Sequence, residues 1–188
     1  MENWIETHSG RKVSIESPQA DMFDIDDIAF ALSNTCRYNG HCARFFSVAE
    51  HSVLVSQRLP THLKLAGLLH DATEAYLGDI PSPIKHLLPD YKKLERVFEY
   101  AVEQAFKIDL SDADKAAIKE ADIDALFTEA HFLIPSQGKE WSYFQGPVVH
   151  KVNYDLKPVC LPPAYAYKLF MGAFYEYTEQ EAPRILLA

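Results

Sequence analysis

Hydrophobic and polar positions alternate with period two only in "WIETHSGRKVSI" (4–15). There, two short runs flank Ser9-Gly10 and predict a β-hairpin. After "ESPQAD" the period lengthens to that of a helix and stays there almost to the end of the chain. "DIDDIAFALSN" places Ile25, Ile28, Ala29 and Leu32 at helical spacing. "SVAEHSVLVSQRL" opens with Ser47 and Glu50 at capping-box spacing, and Pro60 stops it. "THLKLAGLLHDATEAYLG" predicts one continuous third helix from a Thr cap to Gly78, apolar over most of its circumference and therefore central. "DIPSPIKHLLPD" is a proline-punctuated loop with one helical turn. "YKKLERVFEYAVEQAF" is amphipathic, "SDADKAAIKEADIDALFTEAHFL" is a long helix capped at Ser111, and "AYAYKLFMGAFYEYTEQ" supplies the last helix. Residues 135–160, rich in aromatics and Pro, predict an ordered irregular excursion. The expected architecture is an all-α bundle with a small N-terminal β-hairpin, one domain over 1–188. Its helical core covers about 25–135, with the excursion and last helix in 136–188.

Composition narrows the function classes. With 188 residues, 48% of them hydrophobic, the chain can bury one sizeable core. A net charge of −9 does not steer it to duplex nucleic acid or to anionic membranes. A small anionic substrate would need a local group of Arg and Lys. No apolar run has the length of a membrane span, and no secretory signal is expected from "MENWIETHSGRK". Cys36, Cys42 and Cys160, odd in number and irregularly spaced, predict reduced thiols in a reducing, cytoplasmic setting.

The costly feature is "LLHDATE" (68–74), where His70, Asp71 and Glu74 stand among leucines. At about 100° per residue they share one patch of a helix. His51 lies on the stripe of Val48, Val55 and Leu59; alone it would be a core histidine satisfied by a carbonyl. With His70-Asp71 on an adjacent helix, the pair suits a divalent metal. In the long helix, Asp122 falls within the apolar stripe of Ile118, Ala121, Ala125 and Leu133, while Asp124 faces away with Glu120 and His131. Asp122 is thus the inward acid, and Glu129 an inward carboxylate read as a hydrogen-bonded support. The expected ligand set is His51, His70, Asp71 and Asp122, suited to Mn²⁺, Co²⁺, Zn²⁺, Fe²⁺ or Ni²⁺, with Mg²⁺ as a further ion. Such a metal supplies hydroxide near neutral pH, and Glu74 is the acid left for orienting water or taking its proton.

In this order, "VAEHS" (48–52), "LLHDATE" (68–74), "GDIPSPIK" (78–85) and "KEAD" (119–122) resemble the HD-domain superfamily of metal-dependent phosphohydrolases. HDxxE followed by GD-hydrophobic-PxPxK is most similar to its deoxynucleotide branch, the bacterial 5′-deoxyribonucleotidases and phage dATP triphosphohydrolases. The resemblance spans residues 25 to about 135. It implies metal ligands at His51, His70, Asp71 and Asp122, a catalytic acid at Glu74 and an active-site acid at Asp79. It further implies phosphate contacts at Lys85 and Arg37, and an aromatic against sugar or base at Tyr38. The alarmone-hydrolase branch carries HDxxED, whereas this chain has Ala75 after Glu74, which argues against that substrate. HD-type oxygenases need extra histidines at helical offsets that this chain lacks. The expected activity is hydrolysis of a deoxynucleotide, a dNTP triphosphohydrolase first. A 5′-nucleotidase acting on dNMPs and a non-catalytic metal- or nucleotide-binding module are the alternatives. The expected partner is the small-molecule substrate together with further copies of the chain, with no membrane and no duplex nucleic acid.

Overall fold

In the computed structural model, which describes residues 3–139, 141 and 152–180, strand β1 (Trp4–Glu6) pairs antiparallel with β2 (Lys12–Ser14). The register sets Ile5 opposite Val13, which is fully buried, and the turn is made possible by Gly10 at φ 85°. Among the described residues eight α-helices follow: α1 (Ile25–Asn34), α2 (Val48–Ser56), α3 (Lys64–Leu68), α4 (Glu74–Leu77), α5 (Ser82–Lys85), α6 (Pro89–Ala105), α7 (Asp112–Leu133) and α8 (Pro163–Thr178). The expected all-α bundle with its hairpin is what the chain forms. No helix among the described residues is long and apolar enough to cross a membrane. The "GPVVH" stretch of the expected excursion lies outside the described residues.

Caps fix several helix starts as their sequences imply. Asp24 accepts from Asp26 N–H at α1, and Ser111 and Asp114 exchange hydrogen bonds as a full capping box at α7. At α2 the box is half made. The Ser47 side chain accepts from Glu50 N–H, but the Glu50 carboxylate turns inward. It accepts from the backbone N–H groups of Val159, Cys160 and Leu161 at 2.6, 2.9 and 2.8 Å. That buried carboxylate thereby ties the segment before α8 to the core, because three N–H donors replace the water it gave up.

The central helix is α2, not the segment around residue 70. All nine of its residues are buried, and it packs against α1, α3, α7 and α8. The main core joins Ile28 and Leu32 of α1 and Val48 and Val53 of α2 to Phe98 of α6 and Phe170 and Met171 of α8. A second cluster seals Val55 and Leu59 against Ile118, Ala121 and Ala125 of α7.

The expected continuous third helix is broken. After α3, residues 69–76 follow i→i−3 bonds, with Ala72 N–H to Leu69, Glu74 N–H to Asp71 and Tyr76 N–H to Thr73. At the break His70 Nδ1 reaches back to the Gly67 carbonyl at 2.8 Å, the acceptor that a continuing α-helix would offer to the Asp71 N–H. His70 and Asp71 therefore project from a tightened turn, while Gly78, at φ 82°, ends α4. Gly67 also lets α3 approach α2. A Cβ there would run into Leu59 Cδ1 and lie 3.3 Å from the Ser56 Cα. Gly67→Ala is expected to cost about 1–3 kcal/mol by overpacking, seen as a lower denaturant midpoint at an unchanged slope.

Candidate metal centre

Three polypeptide segments bring their polar side chains to one point. His51 arrives from α2, His70 and Asp71 from the turn after α3, and Asp122 from α7. The ligand atoms of His51, His70 and Asp71 all lie within 4.8 Å of one another. His51 Nε2 stands 3.4 Å from Asp71 Oδ2 and 3.2 Å from Asp122 Oδ1. His70 Nε2 stands 3.1 and 3.8 Å from the same two oxygens. The structure thus brings the four sequence-predicted residues together, Asp122 standing beside both imidazoles.

The far side of each ring decides its tautomer. His51 Nδ1 donates to Glu129 Oε1 at 2.6 Å, and His70 Nδ1 donates to the Gly67 carbonyl. With Nδ1 committed to a backbone or carboxylate acceptor in both rings, Nε2 is the nitrogen that faces the cluster and the one whose lone pair a bound cation would take. Both Nε2 atoms are buried and make no hydrogen bond among the described residues. Two inward Nε2 atoms beside two carboxylates form a donor set that fits a divalent cation, which would take the place of the imidazole protons.

The electrostatics agree. Burial and the Arg37 charge lower the affinity of His51 for a proton, but Glu129, Asp122 and Asp71 outweigh them and hold its pKa well above the ordinary imidazole value. Burial likewise opposes a charge on His70, yet Asp71 and Asp122 bring it up to about 9. Burial raises the carboxyls of Asp71 and Asp122, while the two imidazoles more than reverse this and hold both well below the usual carboxylate range. The pocket is a sink for positive charge.

Around this centre stand the other sequence-predicted residues. Arg37 and Tyr38 come from a loop in which Tyr38, Asn39 and Gly40 all have left-handed backbones, at φ 58°, 51° and 78°. For Tyr38 that conformation costs about 1 kcal/mol or more. It is offset where the Tyr38 hydroxyl and Arg37 Nε both donate to Glu129 Oε2 at 3.1 Å. Arg37 also stands 3.8 Å from Asp71 Oδ2. Glu129 is fully buried, the support its position in α7 suggested. Asp79 lies within electrostatic reach of Arg37 and Asp71, its carboxyl raised chiefly by burial.

Glu74, at the start of α4, is buried. Its Oε1 accepts from Lys85 Nζ at 3.2 Å, while Oε2 has no hydrogen-bond partner among the described residues. Burial, then the charges of Asp71 and Asp79, push its carboxyl well above the ordinary range. Lys85 is also held by Glu95 Oε1 of α6 at 2.7 Å. Glu95 escaped the sequence reading, because an acid on the polar side of an amphipathic helix has the pattern of a solvated face.

A cleft of about 390 Å³ opens beside the centre. His70, Asp71, Asp122, Thr73, Ser82 and Lys85 line it on one side, and Glu95, Glu99 and Glu103 of α6 on another. Burial, then Glu95 and Glu103, raise the Glu99 carboxyl. A carboxyl whose pKa is higher folded than unfolded costs stability above its unfolded pKa and nothing below it. Glu99→Gln should therefore raise the melting temperature by about 1–2 °C at pH 8 and leave it unchanged near pH 4, a difference that calorimetry at the two pH values reads directly.

No protein-family model matches the chain. It is 38% identical over 178 residues to the uncharacterized protein YfdR of Escherichia coli (strain K12), covering 94% of this chain and 97% of that protein. An uncharacterized protein of Rhodobacter capsulatus is 34% identical over 139 residues, 68% of this chain and 71% of its own length. A 5′-deoxynucleotidase of Vibrio atlanticus is 43% identical over 44 residues, 21% of this chain and 23% of that protein.

Proposed function

From the premise that this chain belongs to the family of Escherichia coli YfdR, we propose that it is a metal-dependent phosphohydrolase of the HD-domain type, acting on deoxynucleoside monophosphates. The observation that carries the reading is the convergence of two buried, unpartnered Nε2 atoms on Asp71 and Asp122 beside an open cleft. The short match to a 5′-deoxynucleotidase supports the substrate class.

His51, His70, Asp71 and Asp122 would hold the ion, and Mn²⁺, Co²⁺, Zn²⁺, Fe²⁺ and Ni²⁺ all suit two imidazoles and two carboxylates. When bound, it supplies Lewis-acid polarisation of a phosphate oxygen and a water acidified toward neutral pH. The remaining roles belong to side chains. Glu74, with a raised carboxyl and an unpartnered Oε2, is suited to hold and pass a proton. Asp79 is the second acid within reach. Arg37 faces the centre from the Glu129 side and offsets negative charge there.

Charge balance favours one phosphate over three, against the triphosphohydrolase expected first from the sequence. Each lysine lining the cleft is already engaged by an acid: Lys85 by Glu74 and Glu95, Lys115 by Glu103, and Lys119 by Asp122. The two further phosphate groups of a triphosphate would bring more negative charge against Glu95, Glu99 and Glu103 with little to offset it.

Purified protein loaded separately with Mn²⁺, Co²⁺ or Zn²⁺ is the test, with dAMP, the other dNMPs and dATP as substrates and products resolved by chromatography. Deoxynucleoside and inorganic phosphate from a dNMP are expected. Triphosphate from dATP, with dNMPs untouched, would restore the triphosphohydrolase. Tight nucleotide binding without turnover under every metal would make the protein a binding module.

A further inference from the structure

Glu74 sits on a helix of four residues, too short to fix its own orientation by backbone bonds alone. What holds it comes from α6. Tyr91 and Glu95 stand four residues apart and so share one face of that helix. The Tyr91 hydroxyl donates to the carbonyl of Gly78, which closes α4, at 3.1 Å. Glu95 Oε1 accepts from Lys85 Nζ at 2.7 Å, and the same ammonium donates to Glu74 Oε1 at 3.2 Å. The ammonium also lies 5.8 Å from the centroid of the Tyr91 ring. One end of α4 and its first carboxylate are thus gripped from a single face of α6, across the side of the cleft that holds Lys85.

We propose that Glu95 is a positioning residue for Glu74, acting through Lys85, with Tyr91 bracing the other end of the same short helix. On this assignment Lys85 is an internal clamp and not a free phosphate contact. Of its three N–H donors, two are committed to carboxylates, and the shorter contact is to Glu95. Glu95 keeps the ammonium in place, and the ammonium fixes which way the Glu74 carboxyl turns, leaving Oε2 as the oxygen without a protein partner. The assignment rests on the reading of Glu74 as the proton-handling group.

The test separates the clamp from the chemistry. In Glu95→Ala, kcat should fall about tenfold or more, the usual loss when a working group loses its outer partner. KM should stay within about twofold, since no substrate contact is removed, and metal content should match wild type. Glu95→Asp, which keeps the charge one methylene shorter, should recover part of kcat. Independently of substrate, acetylation of Lys85 by acetic anhydride, followed by peptide mass spectrometry, should be slow in wild type and several-fold faster in Glu95→Ala. A fall in KM at constant kcat would overturn the proposal, since Glu95 would then be competing with the substrate for Lys85. Unchanged Lys85 labelling in an active enzyme overturns the clamp alone. A wild-type protein without nucleotide turnover overturns the proposed function and the catalytic half of this assignment, while the labelling still decides whether Glu95 holds Lys85.

Discussion

Glu74→Gln is expected to lower kcat by about 10²–10⁴, the range for removing a general acid or base, while metal content by elemental analysis stays at the wild-type level. The two readouts separate because Glu74 is not in the group that converges on the centre; its Oε1 is spent on Lys85 and its Oε2 is unpartnered. The melting temperature supplies a third readout. Burial, Asp71 and Asp79 all disfavour the charged carboxylate, so at neutral pH a neutral amide should leave the midpoint no lower than wild type. A protein that is as stable, fully metal-loaded and inactive is the signature of a group retained for chemistry. Unchanged turnover in the variant would remove Glu74 from the mechanism.

The second large effect is expected at Glu129. Its two oxygens accept from Arg37 Nε, the Tyr38 hydroxyl and His51 Nδ1, with no exposure to water. Glutamine offers one acceptor oxygen and must turn its NH₂ toward a donor, while the buried Arg37 loses its counter-charge. Breaking a buried ion pair from one side costs about 3–5 kcal/mol, which for a domain of this size lowers the midpoint by about 10 °C. Metal affinity should fall as well, by about 10–100-fold, because nothing then pins the proton on His51 Nδ1. Calorimetric melting with and without Mn²⁺, together with a Mn²⁺ titration, measures both. A variant with a wild-type midpoint would show that Glu129 is not the anchor of the Arg37–Tyr38 loop.

Much of this was legible in the residues alone, for a physical reason. The hairpin, the Ser111 cap and the inward stripe of Ile118, Ala121, Ala125 and Leu133 depend on local spacing, which the chain carries in its order. The same spacing puts Asp122 inward on α7 and Asp124 away from it, and makes Glu129 an inward support. Burial against periodicity is a local property, so these survive without knowledge of the neighbours.

What failed was each place where a polar side chain chose between a near partner and a distant one. Glu50 has the spacing for a capping box, yet its carboxylate goes to three N–H groups more than a hundred residues away. Lys85 has the look of a free cation after a proline loop, yet two acids hold it, one of them on a helix whose pattern gives no sign of it. The third helix breaks where the His70 ring takes the Gly67 carbonyl, so a wheel drawn through His70, Asp71 and Glu74 describes a helix that stops at Leu68. The sequence by itself determined which residues are buried together and that two imidazoles and two carboxylates needed partners, because unpaired burial of such groups is too costly to persist. Only the tertiary structure decided which nitrogen of each imidazole faces the centre, which carboxylate oxygen was left without a hydrogen-bond partner among the described residues and which cations were already engaged. Apart from the short-range His70–Gly67 bond, those depend on hydrogen bonds between segments distant in the chain, which no local pattern encodes.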